Sequence, residues 1–165
     1  MADIAPNGLN YPWATPPETG VPIEVAPGVL WFRLPLPMKL DHVNIYALDE
    51  GDSWTVIDTG FASKKCKAIW QEMMDGPLGG KPISRVVVTH HHPDHAGGVP
   101  ALLKRYQATV FGPADERISF VHQVCRENDQ VQLADLNAQF RVLEIPAHTR
   151  SHIAFFAGDI LFCGD

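Results

Sequence analysis

Apolar and polar positions fall in short blocks along the chain, and their period changes from block to block. Residues 29–34 (V-L-W-F-R-L) gather β-branched and aromatic side chains, and residues 43–48 set Val43, Ile45 and Ala47 against Asn44 and Tyr46. Both patterns predict strands. Residues 54–57 are a third short apolar run. Asp49, Glu50, Gly51 and Asp52 between the last two predict a hairpin turn, and Asp58-Thr59-Gly60 closes the third strand. Over residues 63–74 the period becomes helical, with Cys66, Ile69, Trp70, Met73 and Met74 on one face. Gly76-Pro77 stops that helix. Residues 83–89 (I-S-R-V-V-V-T) are a near-continuous β-branched run, the signature of a strand buried on both faces. Val99, Leu102, Leu103 and Tyr106 predict a second helix over 99–106. Short strands follow at 109–111, 140–145, 153–156 and 160–162. Strands alternating with helices, then strands alone, point to an α/β fold. Trp31, Phe32, Trp54 and Trp70 are expected in its core.

Proline changes the reading of the start. Eight of the 14 prolines lie at or before Pro37, so residues 1–28 read as an irregular arm. Tyr11 and Trp13 give that arm a means of packing on the domain, which spans residues 29–165. The 165 residues are 45% apolar and 19% charged, a globular composition that excludes disorder throughout. No apolar run approaches the roughly 18 residues of a membrane helix, and no secretory leader is visible at the start. The net charge of −6 argues against a nucleic-acid or anionic-membrane partner. Cys66, Cys125 and Cys163 are far apart and form no C-x-x-C, so reduced thiols and a cytoplasmic location are expected.

The chemistry concentrates at one place. Of eight His residues, His90, His91, His92 and His95 cluster in the segment T-H-H-H-P-D-H, directly after the buried strand and before Gly97-Gly98 and a helix. Imidazole and carboxylate are ligands that Zn²⁺ accepts in catalytic sites. Residues two apart in extended backbone point to one side, so His90 and His92 can chelate one ion together. The turn at Pro93 directs Asp94 and His95 toward a second. A chance His run or a purification tag would lack this strand-loop-helix setting. His148, in P-A-H-T after a predicted strand, is a candidate third ligand for the first ion, and Asp165, in C-G-D after the last apolar run, a candidate bridging carboxylate. His91 is expected to point away from the ions, and His42 and His122 to be ordinary polar residues. His152 reads as a support for the site or a structural residue, and Cys163 as a core thiol.

Taken together, these segments resemble the metallo-β-lactamase superfamily. The resemblance implies that His90, His92 and His148 ligate metal one, that Asp94 and His95 ligate metal two, and that Asp165 bridges them. It implies that Asp58 orients a ligand His by hydrogen bonding. The cofactor implied is a pair of divalent ions, zinc first, with iron or manganese as alternatives. Such a pair holds a bridging hydroxide that attacks a carbonyl; no G-x-S-x-G serine elbow competes. The expected substrate is a small-molecule thioester, lactone or related ester. His92 stands where the diiron flavoprotein branch has Glu, and Asp165 where the classical zinc β-lactamases have Cys.

From about Arg85 to Asp165 the sequence is most similar to glyoxalase II, the S-lactoylglutathione thioesterase, through V-F-G-P-A-D-E-R-I, F-R-V-L-E-I-P-A-H-T and L-F-C-G-D. The family's P-G-H-T-x-G-H is changed: Ala147 and Ser151 replace both glycines, and Ser151 is strained if the backbone there needs φ > 0. The N-terminal part is more similar to another hydrolase branch. The resemblance implies an αβ/βα sandwich of four layers, for which this chain is short, so a sandwich truncated after its first ligand-bearing portion is expected. The alternative reading is therefore a truncated or chimeric metal-binding half-domain without turnover, whose exposed sheet face would favour homo-oligomers.

Overall fold

The computed structural model describes residue 8, residues 10–133 and residues 138–165. Residues 1–7 and 9 of the proline-rich arm lie outside the described residues. One sheet of seven strands runs in chain order: β1 (Ile23–Ala26), β2 (Val29–Pro35), β3 (His42–Asp49), β4 (Trp54–Ile57), β5 (Ile83–Val87), β6 (Thr109–Gly112) and β7 (Gln123–Val124). Neighbours from β1 to β4 are antiparallel; from β4 to β7 they are parallel. Parallel neighbours need crossovers. The crossover from β4 to β5 is helix α1 (Lys64–Asp75), and that from β5 to β6 carries α2 (Pro93–Ala96) and α3 (Val99–Arg105). A second, antiparallel sheet is ordered β11 (Ile160–Phe162), β10 (Ile153–Ala157), β9 (Ala138–Glu144), β8 (Gln130–Leu133).

Helix α1 follows the sequence pattern. Ser63 caps it, its side chain accepting from the Cys66 amide at 3.0 Å, and its buried residues are Cys66, Ile69, Trp70, Met73 and Met74. This face meets Phe32, Leu34, Ile45, Val56 and Val86 of the first sheet, joined by Val99 and Leu102 of α3. The opposite face of the same sheet meets the second one: Leu48, Ile57 and Val87 pack against Phe140, Val142, Ile153, Phe155 and Phe162. The layers are therefore helix, sheet, sheet. All four residues of β4 are buried because it is covered on both faces.

Three expectations are corrected. The arm is not irregular throughout: β1 lies within it, pairing Ile23 with Trp31 and Glu24 with Leu30. Pro22 and Pro27 flank this strand rather than interrupt it, and Gly28 turns the chain at φ 73°. Trp31 is not in the core. Strand alternation sends Phe32 and Leu34 toward the helices and Trp31 to the opposite face, half-buried. There its Nε1 donates to Asn44 Oδ1 at 2.9 Å and its ring meets that of Trp13 edge-on at 6.1 Å. The arm thus packs on β2, aided by the Gly20 amide donating to the Arg33 carbonyl at 3.0 Å. Cys163 is exposed, one position beyond the buried Phe162 and so pointing the other way.

Phe32→Ala is expected to lower stability by about 3–5 kcal/mol, while Met38→Ala, at an exposed position, stays within about 0.5 kcal/mol. Urea unfolding followed by tryptophan fluorescence measures both.

Candidate metal centre

The site sits where the strand ends of both sheets converge. Asp58 follows β4, and residues 89–95 follow the parallel neighbour β5. His148 lies in the connection from β9 to β10, and Asp165 follows β11. The Ile153 amide donates to the Thr89 carbonyl at 3.0 Å and ties the two sheets together beside the site.

Asp58 anchors the local geometry. It holds φ 60°, a region that non-glycine residues seldom occupy. Its amide donates to the Val87 carbonyl at 2.8 Å. Its carboxylate accepts from the Thr89 amide (2.9 Å), from Thr89 Oγ1 (2.8 Å) and from His95 Nδ1 (2.7 Å). A carboxylate only accepts, so the His95 proton sits on Nδ1 and Nε2 is turned toward the centre. His90 Nδ1 lies 3.0 Å from Thr89 Oγ1. That hydroxyl has one proton, which is directed to Asp58, so His90 Nδ1–H is the donor and the His90 Nε2 lone pair is free.

Glycine is required nearby. A Cβ on Gly98 would lie 2.6 Å from the Thr59 carbonyl oxygen, and one on Gly164 2.6 Å from Thr89 Oγ1. Gly164 also holds φ 64°. Only glycine lets the backbone pass so close to Thr89 while delivering Asp165 to the cluster.

The donors fall in two overlapping sets. Ligand atoms of His90, His92 and His148 lie within 4.8 Å of one another, and so do those of His90, His95 and Asp165. His92 Nδ1 and His148 Nε2 are 2.9 Å apart. Asp165 reaches both sets, with Oδ1 3.1 Å from His95 Nε2 and Oδ2 3.5 Å from His148 Nε2. The three residues expected at metal one are thus brought together. Of those expected at metal two, His95 and Asp165 meet directly. Asp94 Oδ2 stands 3.6 Å from His95 Nε2, outside the set in which every donor is within reach of every other.

Two observations fit a cation. Among the described residues, five buried polar atoms have no hydrogen-bond partner: Arg33 Nε, His91 Nδ1, Thr149 Oγ1, and, inside the cluster, His90 Nε2 and His95 Nε2, although such atoms in folded proteins nearly always have one. In addition, three carboxylates converge on one imidazole: Asp58, Asp94 and Asp165 all approach His95. Burial and the neighbouring imidazoles push His90 down to about 2, and burial with His148 lowers His92. Both therefore present neutral, ligating nitrogens at neutral pH. For His95, burial acts to lower the pKa, but the Asp165 and Asp58 carboxylates outweigh it and raise it to about 10, so without a cation His95 carries a second proton on Nε2 facing Asp165, and an ion bound there would displace that proton. His95 in turn holds Asp165 at about 2.

His91 is turned to Asp115, 3.3 Å away. His152 is buried, stacked on His90 at 4.5 Å between centroids, and donates to the Cys163 carbonyl at 2.8 Å. His42 pairs with Asp41, and His122 accepts from the Val110 amide, both away from the cluster. Ser151 and Ala147 do not have positive φ, so replacing glycine there carries no strain. Thr89, Gly164 and Asp115 escaped the sequence reading. Thr89 adjoins the His run and Asp115 sits two before Arg117, but neither spacing announces a long-range partner.

The Metallo-beta-lactamase superfamily model matches residues 38–124. A hydroxyacylglutathione hydrolase of Cupriavidus metallidurans is 37% identical over 143 residues, covering 79% of this chain and 51% of that protein. One from Albidiferax ferrireducens is 38% identical over 137 residues, covering 80% and 50%. The chain therefore spans about half the length of the curated relatives it matches. A beta-lactamase domain protein from Burkholderia ambifaria superposes with a TM-score of 0.79 at 30% identity, covering 90% of this chain and 57% of that one.

Asp58→Asn keeps the size of the side chain but weakens the acceptor that fixes His95. Chelator competition is expected to show about 10–100-fold weaker metal binding, with the far-ultraviolet circular dichroism unchanged.

Proposed function

The chain belongs to the metallo-β-lactamase superfamily, and from this we propose that it provides the metal centre of a hydrolase that cleaves a thioester or related ester, an S-lactoylglutathione-type thioester first and a lactone second. The observation that carries this reading is the single carboxylate of Asp165 reaching both donor sets. A bridging residue needs that placement. The relatives' name, hydroxyacylglutathione hydrolase, supports the thioester class.

The residues divide the work. His90, His92 and His148 offer three imidazole nitrogens to one ion; His95, Asp94 and Asp165 offer a more anionic set to the second. Divalent cations held there, zinc before iron or manganese, supply Lewis acidity toward a carbonyl and lower the pKa of a water toward about 7. Asp94 and Asp165 offset part of the cationic charge. Asp58 and Thr89 hold His95 and His90 in the tautomers that direct Nε2 inward. The buried wall formed by His90, His95 and His152 keeps bulk water from the inner side of the cluster, which strengthens every electrostatic contact there. Among the described residues no helix is long and apolar enough to cross a membrane.

Purified protein loaded with zinc is expected to hydrolyse S-lactoylglutathione, to lose the activity with a chelator, and to fall to background as His92→Ala. Bound metal with no turnover of either thioester or lactone would instead assign the chain a metal-binding role without hydrolysis.

A further inference from the structure

The three donors expected at metal one come from two different sheets. His90 and His92 belong to the loop after β5, and His148 to the connection between β9 and β10. Their spacing depends on how those two loops are offset. A side chain from neither loop touches both. Asp115 follows β6 and opens a 3-10 turn over Glu116–Ile118. It accepts from Ser151 Oγ at 2.6 Å, and its Oδ2 lies 3.3 Å from His91 Nδ1, in close approach but without hydrogen-bond geometry. His91 stands between His90 and His92, and Ser151 is on the same connection as His148.

The carboxylate is itself held in a fixed plane. Arg117 donates from its amide (3.0 Å) and Nε (2.7 Å) to Oδ1, and from Nη2 (2.7 Å) to Oδ2. This fork fixes orientation as well as charge. The Asp115 side chain is only 3% exposed although Arg117 is 57% exposed. A buried carboxylate is costly unless satisfied, and here both oxygens are. The Arg117 guanidinium keeps the Asp115 carboxyl well below the usual carboxylate range, so it is charged at neutral pH. Ser151 matters for a further reason. It stands where the glyoxalase II pattern has glycine, and glycine has no hydroxyl to donate.

We propose that Asp115 is a positioning residue for the metal centre: by accepting from Ser151 and facing His91 it sets the offset of the two loops, and with it the spacing of His90, His92 and His148. This rests on reading those three as the ligands of one ion. Asp115 touches no ion and no substrate; it acts through the loops.

The test uses Ser151→Ala, Asp115→Ala and Asp115→Asn, each titrated with Co²⁺, with affinity read by chelator competition and geometry by the visible Co²⁺ absorption. Ser151→Ala removes a single hydroxyl and keeps the fold, so it decides the matter even where Asp115→Ala unfolds. The expected result is about 10-fold weaker binding of the first ion in Ser151→Ala and up to about 100-fold in Asp115→Ala, with a changed Co²⁺ spectrum and the second ion near its wild-type affinity. Asp115→Asn recovers only part of the loss: its amide oxygen still accepts from Arg117, but its amide nitrogen sets a donor against the guanidinium fork that now binds both oxygens. Wild-type affinity and spectrum in Ser151→Ala overturn the proposal, and so does equal weakening of both ions with a lowered Tm. A wild-type protein that takes up no Co²⁺, or a His92→Ala variant that takes it up unchanged, overturns the metal-centre reading itself.

Discussion

A neutral imidazole buried at the meeting of two sheets is the constraint around which this chain is arranged. His90 is fully buried, its Nδ1 proton directed to Thr89, its Nε2 without a protein partner. Leaving such a nitrogen unpaired costs roughly 1–3 kcal/mol, and here the cost is concentrated where four other imidazoles close around it. The rings of His92, His95, His148 and His152 lie 4.1–5.0 Å from that of His90. No hydrophobic argument assembles five imidazoles in this way. A cation coordinated by some of them, with carboxylates balancing its charge, does.

The rest of the architecture serves that meeting point. The parallel pairing of β4 and β5 brings Asp58 beside Thr89 and keeps Asp58 at positive φ. The strain is local, and the three hydrogen bonds its carboxylate accepts hold it in place. The second sheet brings His148 and Asp165, and the apolar layer of Leu48, Ile57, Val87, Val142, Ile153 and Phe155 sets the distance between the sheets. Packing density therefore reaches directly into ligand spacing. A void in that layer would move His148 relative to His92 without touching either.

Elements governed by local pattern were legible in the sequence. Helix α1 shows its buried face residue for residue, because its apolar side chains sit at helical spacing and Ser63 supplies the cap. The T-H-H-H-P-D-H segment identified the site because such ligand types at such spacing have few other uses. Features set by tertiary context were not legible. Trp31 is as hydrophobic as Phe32, but the side of the strand decided which was buried. Pro22 and Pro27 signalled irregularity while framing β1. Cys163 looked apolar enough for the core, yet it lies one residue past the end of β11. Asp115 lies in the segment V-F-G-P-A-D-E-R-I, but nothing in that segment announces its partners Ser151 and His91, both far from it in sequence.

The claim that most depends on this account is that His90, His92 and His148 hold a metal ion together. The direct measurement is metal content and affinity, by elemental analysis and chelator competition, for the wild-type protein and His90→Gln, a variant that keeps most of the side-chain volume. About two divalent ions per chain are expected in the wild type, with loss in His90→Gln of the ion shared with His92 and His148. A wild-type protein without bound metal, or a His90→Gln variant with unchanged metal content and affinity, would contradict it.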